Sequence, residues 1–278
     1  RLDNSSVNFN LNMFNDINYL KRSIYFYDFP LHHPNIVASD IMNEQASKEG
    51  YKVLLSGEGA DEMFAGYKWH LNDFSLMHNQ QIIANSSYNR ISDLEKVFSI
   101  KNNNTYESLF LEMNSLSNFE DRQLYFEQRY YLQKWFHRQD RSGMRFSLEI
   151  RVPYCTHILA RLLNSYKLSS KTNNNRCSKH LLKVIAEGFL PNDIVWRKKV
   201  GFTIPIDDWF RNKLSRNLIE ILIDDRTLSR DLYNNDSIIK IVKDHLCGIS
   251  NNGRLIWALL NFELWYRIFF EEKIIYTN

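Results

Sequence analysis

Cysteine is scarce in this chain: Cys155, Cys177 and Cys247 are all that 278 residues contain. The number is odd, the spacing is wide, and no Cys-x-x-Cys or Cys/His metal pattern occurs. That argues against a disulfide framework and a zinc motif, and for reduced thiols in a cytoplasmic protein. A dominant charge sign is lacking as well. With 35 basic and 32 acidic residues the net charge is +3, too balanced to call for nucleic acid or an anionic membrane as partner. No run of 18 apolar residues occurs, so no transmembrane helix is expected. No charged-then-apolar leader follows Arg1, so no signal peptide is expected either. None of the eight histidines pairs with an obvious Ser or Cys nucleophile, which sets aside a hydrolase triad. The Walker A loop and the G-x-G-x-x-G dinucleotide fingerprint are also missing.

What remains is a chain long enough to bury a real core, as one large domain or two small ones. Its 44% hydrophobic and 24% charged residues are those of an ordinary soluble globular protein. Aromatics at 14% suit long helices packed through large side chains.

Residues 1–15 are Asn-rich, with Val7, Phe9, Leu11 and Met13 alternating with polar positions, as in a strand or extended arm. Asn15 or Asp16 opens a helix through Tyr19, Leu20, Ile24 and Tyr25, which Pro30 stops near Asp28. A second helix over 36–49 has Asn35 as its cap and Gly50 as its close. Tyr51 to Leu55 reads as a short strand of the kind buried in a parallel sheet. Helix, strand, glycine loop and helix in that order make half of a βαβ arrangement. From about residue 70 the pattern is mostly helical, clearest over 118–138, 237–247 and 254–271. Stretches 100–105 and 169–178 read as loops. So does 191–205, which carries Pro191, Gly201 and Pro205.

The chemistry concentrates in Lys52–Tyr67, KVLLSGEGADEMFAGY. A glycine turn between strand and helix aims backbone N–H groups at an anion. Three carboxylates in that turn, Glu58, Asp61 and Glu62, would repel a bare phosphate. They make sense with a divalent cation between them and the phosphate, which points to nucleotide chemistry with magnesium. The competing reading is structural: Ser56 ends a strand, the glycines turn, and Asp61 and Glu62 favour a helix N-terminus. That reading leaves Glu58, between Gly57 and Gly59, without a role. In a second segment, Arg138–Tyr154, Glu149 and Arg151 flank one apolar residue before Pro153. On a strand they form a fixed pair suited to holding a polar substrate, although alternating charge also suits a solvated helix face. A third, Leu190–Pro205, places Lys199 in a Gly/Pro-bounded loop. It is either an exposed basic loop or a lysine that swings onto a phosphate or an oxyanion.

In this order, these segments resemble the synthetase domain of glutamine-dependent asparagine synthetases. The resemblance rests on Leu54–Tyr67, Asp140–Tyr154 and Lys179 with Leu182. It continues through Leu190-Pro191, Arg197-x-Lys199-x-Gly201-Phe202, Pro205 with Trp209, and the aromatic stretch Ile256–Trp265. It implies a helix-rich α/β fold, a partial ATP-pyrophosphatase-type parallel sheet followed by a mostly helical C-terminal portion, with residues 1–278 as one incomplete synthetase domain.

The implied reaction is ATP-dependent amidation of aspartate through an acyl-adenylate, with ammonia from glutamine supplied by a glutaminase domain or subunit. ATP and Mg2+ are the implied cofactors, and a homodimer is compatible. The resemblance makes Asp61 the magnesium–pyrophosphate ligand, with Ser56, Gly57 and Gly59 lining the nucleotide. Glu58 becomes the base, Lys199 stabilises phosphate or tetrahedral-intermediate charge, and Glu149 and Arg151 shape the site.

The departures are specific. The family's Ser-Gly-Gly-x-Asp-Ser-Ser loop is missing, as are the adenine-side strands and the Cys-led glutaminase domain. Thr156 stands where an aspartate is usual. The expectation is half of an ATP site, inactive alone. Amidation of another carboxylate such as a sugar acid, or a truncated non-catalytic scaffold, are the alternatives. Lactam-forming relatives tend to carry tyrosine where Glu58 stands.

Overall fold

The computed structural model describes residues 16–72, 78–89, 91–99, 107–198, 204–272 and 276. Helix α1 (Ile17–Tyr27) starts where the sequence places it. The Asp16 carboxylate accepts from the Asn18 N–H at 2.8 Å, and Asp28, in the left-handed region at φ 65°, ends the helix ahead of Pro30. Helix α2 (Asn35–Lys48) follows, but Asn35 is not its cap. Pro34 holds that position without a side-chain bond, and the Asn35 side chain is committed elsewhere, accepting from Arg138 at 3.2 Å.

Strand β1 (Val53–Leu55) leads through the glycine turn into the short helix α3 (Ala60–Phe64). Helix Phe119–Phe126 runs through a π turn (Glu127–Tyr131) into the central helix (Leu132–Arg145), which feeds strand β2 (Glu149–Arg151). The strands pair in parallel, Val53 with Glu149, Leu54 with Ile150 and Leu55 with Arg151. Parallel pairing needs a crossover, and the largely helical stretch between the strands supplies it.

The central helix carries a polar stripe on a buried face. Arg138, Ser142 and Arg145 sit at i, i+4 and i+7 and face α2. There the buried Asp40 carboxylate accepts from Ser142 at 2.5 Å and Arg145 at 2.7 Å. This locks α2 and the central helix together on either side of the strand ends.

The sheet is not the core. Val53 is 42% and Leu55 76% exposed, contrary to the expectation of a buried strand. Among the described residues the sheet has two strands only, so the face carrying Val53 and Leu55 has no covering layer. The core is helical instead. Leu20, Ile24 and Tyr27 of α1 pack against Ile256, Trp257, Leu260 and Leu264 of the aromatic helix (Gly253–Tyr266). The Trp257 indole N–H donates to the Leu31 carbonyl at 2.9 Å, tying the C-terminal helix to the loop after α1.

The helices expected over 237–247 and 254–271 are present as Asn235–Leu246 and as the aromatic helix with its π turn to Glu272. Two expected loops contain short helices, Leu168–Thr172 and Asn192–Val195. After the first, Asn173, Asn174 and Asn175 are all left-handed, a conformation asparagine tolerates better than most residues. All three cysteines are free thiols, as expected. The arm expected over 1–15, the loop over 100–105 and the Lys199–Thr203 stretch lie outside the described residues.

Candidate active site

The site begins where β1 ends. Ser56 continues the ladder by donating its N–H to the Arg151 carbonyl at 2.8 Å, and its hydroxyl accepts from the Glu58 N–H at 3.2 Å. Gly59 then turns the chain at φ 85°, and a Cβ there would collide with the Cys155 thiol. The glycine is therefore demanded twice, by its backbone angle and by its neighbour.

Three acids leave this short loop in three directions. The Glu58 carboxylate is held by Arg138 Nη2 and by Gln139 Nε2 at 3.2 Å, both on the same oxygen, Oε1. Arg138 is nearly buried. It lies 4.5 Å over the Trp135 ring, and burial pushes its guanidinium down to about 10, still charged at neutral pH. Gln139 also donates to the Ser56 hydroxyl at 3.1 Å, so the central helix grips the loop at two points.

Asp61 pairs instead with Lys179 at 3.0 Å. Lys179 reaches it because its backbone N–H donates to the Ala65 carbonyl at 3.1 Å. A Cβ on Gly66 would strike both the Asp61 carboxylate and the Lys179 side chain, so the glycine closing this turn makes room for the ion pair.

Glu62 turns inward. It is 1% exposed and accepts from the Tyr67 hydroxyl at 2.5 Å, and burial pushes its carboxyl up to about 7. A carboxyl shifted upward keeps, in the folded state, a proton that the unfolded chain releases. Its contribution to stability is complete below 4.5 and is lost as the pH rises to about 7. Glu62→Gln is therefore expected to remove a decline of about 3 kcal/mol over that interval. Urea denaturation of parent and variant across it checks this, and parallel stability profiles would contradict it.

Asn35, Met42, Ser56, Gly57, Glu58 and Arg138 line a cavity of about 390 Å³ at the carboxyl end of β1, where open α/β sheets hold their ligands. A Cβ on Gly57 would meet nothing, so the fold leaves the backbone approachable there. Of the predicted site residues, the structure brings Ser56, Gly57 and Glu58 to this cavity. Asp61 stands on the same loop with its own cation. Glu149 and Arg151 do form the expected pair, at 2.8 Å, but both side chains are about 60% exposed and neither lines the cavity. Lys199 lies outside the described residues.

The sequence suggests Asn35 only as a helix cap and Lys179 only as part of the family resemblance, and it gives no site role to these two, to Arg138 or to Gln139. For Arg138 the i, i+4, i+7 polar stripe on the central helix was the available signal. The loop is not a ready-made metal cage. Among the described residues no group of three His, Cys, Asp or Glu side chains converges. The donor set fits magnesium only in its usual nucleotide role, with one carboxylate, Asp61, and the remaining ligands from phosphate and water.

The profile of a known family, Asparagine synthase, matches residues 5–267. The chain belongs to the asparagine synthase family. Its helix-rich architecture with a small parallel sheet is that of this family's α/β synthetase domain, of the ATP-pyrophosphatase type. Among curated proteins, asparagine synthetase [glutamine-hydrolyzing] 1 of Bacillus subtilis is 26% identical over 304 residues, covering 92% of this chain and 46% of that protein. Asparagine synthetase [glutamine-hydrolyzing] 3 of the same organism is 28% identical over 249 residues, covering 81% of this chain and 40% of its own length. The asparagine synthetase of Mus musculus is 32% identical over 98 residues, 33% of this chain. The chain spans about half the length of the Bacillus relatives it matches. No helix among the described residues is long and apolar enough to cross a membrane.

Proposed function

We propose that this chain supplies the acid-loop side of a synthetase site that amidates a carboxylate, aspartate in the leading case, at the expense of ATP. The observation that carries this reading is the separation of Glu58 and Asp61. Three residues apart in one turn, they are held by different cations on different elements, Arg138 of the central helix and Lys179 after the Asn173–Asn175 bend. Two carboxylates with separate supports are suited to two separate tasks.

In the first step the substrate carboxylate attacks the α-phosphorus of ATP and pyrophosphate leaves. Asp61 offers the carboxylate for the magnesium–pyrophosphate group, and Lys179 beside it balances charge when the metal is away. Magnesium, when bound, offsets the phosphate charge. In the second step ammonia attacks the activated carbonyl, and the cationic tetrahedral intermediate must lose a proton before AMP leaves. Glu58 takes that proton. Arg138 and Gln139 fix one of its oxygens, which sets the rotamer and leaves the other to act as base. Lys199 is assigned to the phosphate and tetrahedral-intermediate charge. The ammonia comes from glutamine on a glutaminase domain or subunit, and the setting is the cytoplasm. The exposed Glu149–Arg151 pair is assigned to the rim, where it meets the outer end of the substrate.

The test is pyrophosphate exchange into ATP by the complete enzyme, with candidate carboxylates and no ammonia. Aspartate is expected to support exchange. Exchange supported by uronic acids and not by aspartate would move the substrate to a sugar acid, and no exchange with any carboxylate would reject the adenylation step.

A further inference from the structure

Helix α2 reaches the candidate active site through its first residue, Asn35, which lines the cavity at the acid loop together with Glu58 and Arg138. The Asn35 side-chain oxygen accepts from Arg138 Nη1 at 3.2 Å, while Arg138 Nη2 holds Glu58 Oε1. One guanidinium thus sets the Asn35 amide and the Glu58 carboxylate side by side. A guanidinium can only donate, so the amide turns its oxygen to Arg138 and its nitrogen away. Among the described residues Asn35 Nδ2 has no hydrogen-bond partner, yet it is not sealed from solvent as the partnerless Arg138 Nε is.

The support behind this amide is rigid. Arg138 is 5% exposed and lies over the Trp135 ring. The buried Asp40 carboxylate ties α2 to the central helix through Ser142 and Arg145. A donor held this way is aimed before a ligand arrives, which is what stabilising a developing charge requires.

We propose that Asn35 is a further catalytic residue, its Nδ2 donating to the carbonyl oxygen of the activated substrate. The proposal rests on the amidation reading above and deepens it. As ammonia attacks, the C–N bond forms and the carbonyl π pair moves onto that oxygen. The pair returns when the bond to AMP breaks, and the proton on nitrogen passes to Glu58. The oxygen and the nitrogen stand on one carbon, so a donor to the first and a base for the second must be neighbours. Asn35 and Glu58 are neighbours because they share Arg138. In adenylation the same oxygen loses charge instead of gaining it, so the donor matters less in that step.

Two substitutions in the complete enzyme test this. Asn35→Asp keeps an acceptor for Arg138 and deletes the donor, whereas Asn35→Ala deletes both. Amide formation should fall by about 10²–10³-fold in each, the usual worth of an oxyanion donor. Aspartate-dependent pyrophosphate exchange should fall by about tenfold or less, as for one ordinary hydrogen bond. Hydroxylamine in place of ammonia separates the donor from the base. It is a weaker base than ammonia, so its adduct sheds the proton to water, and hydroxamate formation should recover in Glu58→Gln. The oxygen still gathers charge, so neither Asn35 variant should recover. Recovery in the Asn35 variants, or parent-like amide formation by Asn35→Asp, would reduce Asn35 to a support for Arg138 and overturn the proposal. Equal loss of exchange and amide, in variants that melt as the parent does, would overturn it too. A parent enzyme without carboxylate-dependent exchange would instead reject the amidation reading, and the proposal with it.

Discussion

Glu58→Gln in the complete enzyme is expected to leave carboxylate-dependent ATP–pyrophosphate exchange intact while amide formation falls by about 10²–10⁴-fold, the usual worth of a positioned general base. The substitution is nearly isosteric. A glutamine oxygen still accepts from Arg138 Nη2 and Gln139 Nε2, so the grip of the central helix on the loop survives. What disappears is the ability to take a proton. Adenylation needs no base at this position, because the substrate arrives as a carboxylate and pyrophosphate leaves as an anion. Ammonia attack does need one, since nitrogen becomes cationic as the bond forms. Exchange measured without ammonia and amide measured with it separate the two steps on one preparation. Equal loss in both assays would make Glu58 a structural or nucleotide-binding residue and reject its role as base.

Asp61→Asn should behave differently and remove both activities. An amide is a poor ligand for magnesium in place of a carboxylate. Losing a metal-site interaction costs at least about 10–100-fold in metal affinity or activity, and more where it is the direct carboxylate ligand. The change also leaves the Lys179 ammonium without its 3.0 Å counter-charge, beside the space where pyrophosphate is placed. The loss should therefore be partly reversed by raising magnesium, which no change at Glu58 would show. Exchange retained by Asp61→Asn would contradict the metal assignment and reduce Asp61 to the partner of Lys179.

Much of the fold was legible wherever a signal was local. Asp16 as a cap, Asp28 ahead of Pro30, Gly50 after α2 and the aromatic periodicity of Ile256–Trp265 each act within a few residues, and each sits where the pattern placed it. The acid loop was equally legible, because strand, glycine and carboxylate follow one another directly. Contacts between distant segments were not. Arg138 meets Glu58 from 80 residues away, and nothing in the loop names its partner. The run from Arg138 to Arg151 reads as one stretch of alternating charge. The structure splits it into a buried helical stripe, Arg138, Ser142 and Arg145, and an exposed strand pair, Glu149 and Arg151.

The apolar run at Val53–Leu55 misled for a related reason. Hydrophobicity reports that a strand has something to be covered by, and here the covering layer is not among the described residues. Closeness in sequence did not reveal how the carboxylates part: a turn of Gly59 into α3 carries Glu58, Asp61 and Glu62 onto a guanidinium, an ammonium and a phenol.

The central claim is that this loop serves attack at the α-phosphorus of ATP in the making of an amide. Nucleotide product analysis of the complete enzyme turning over aspartate, glutamine and ATP tests it most directly. The account predicts AMP and pyrophosphate in equal amounts with the amide, whereas ADP and orthophosphate as the stoichiometric products would contradict it.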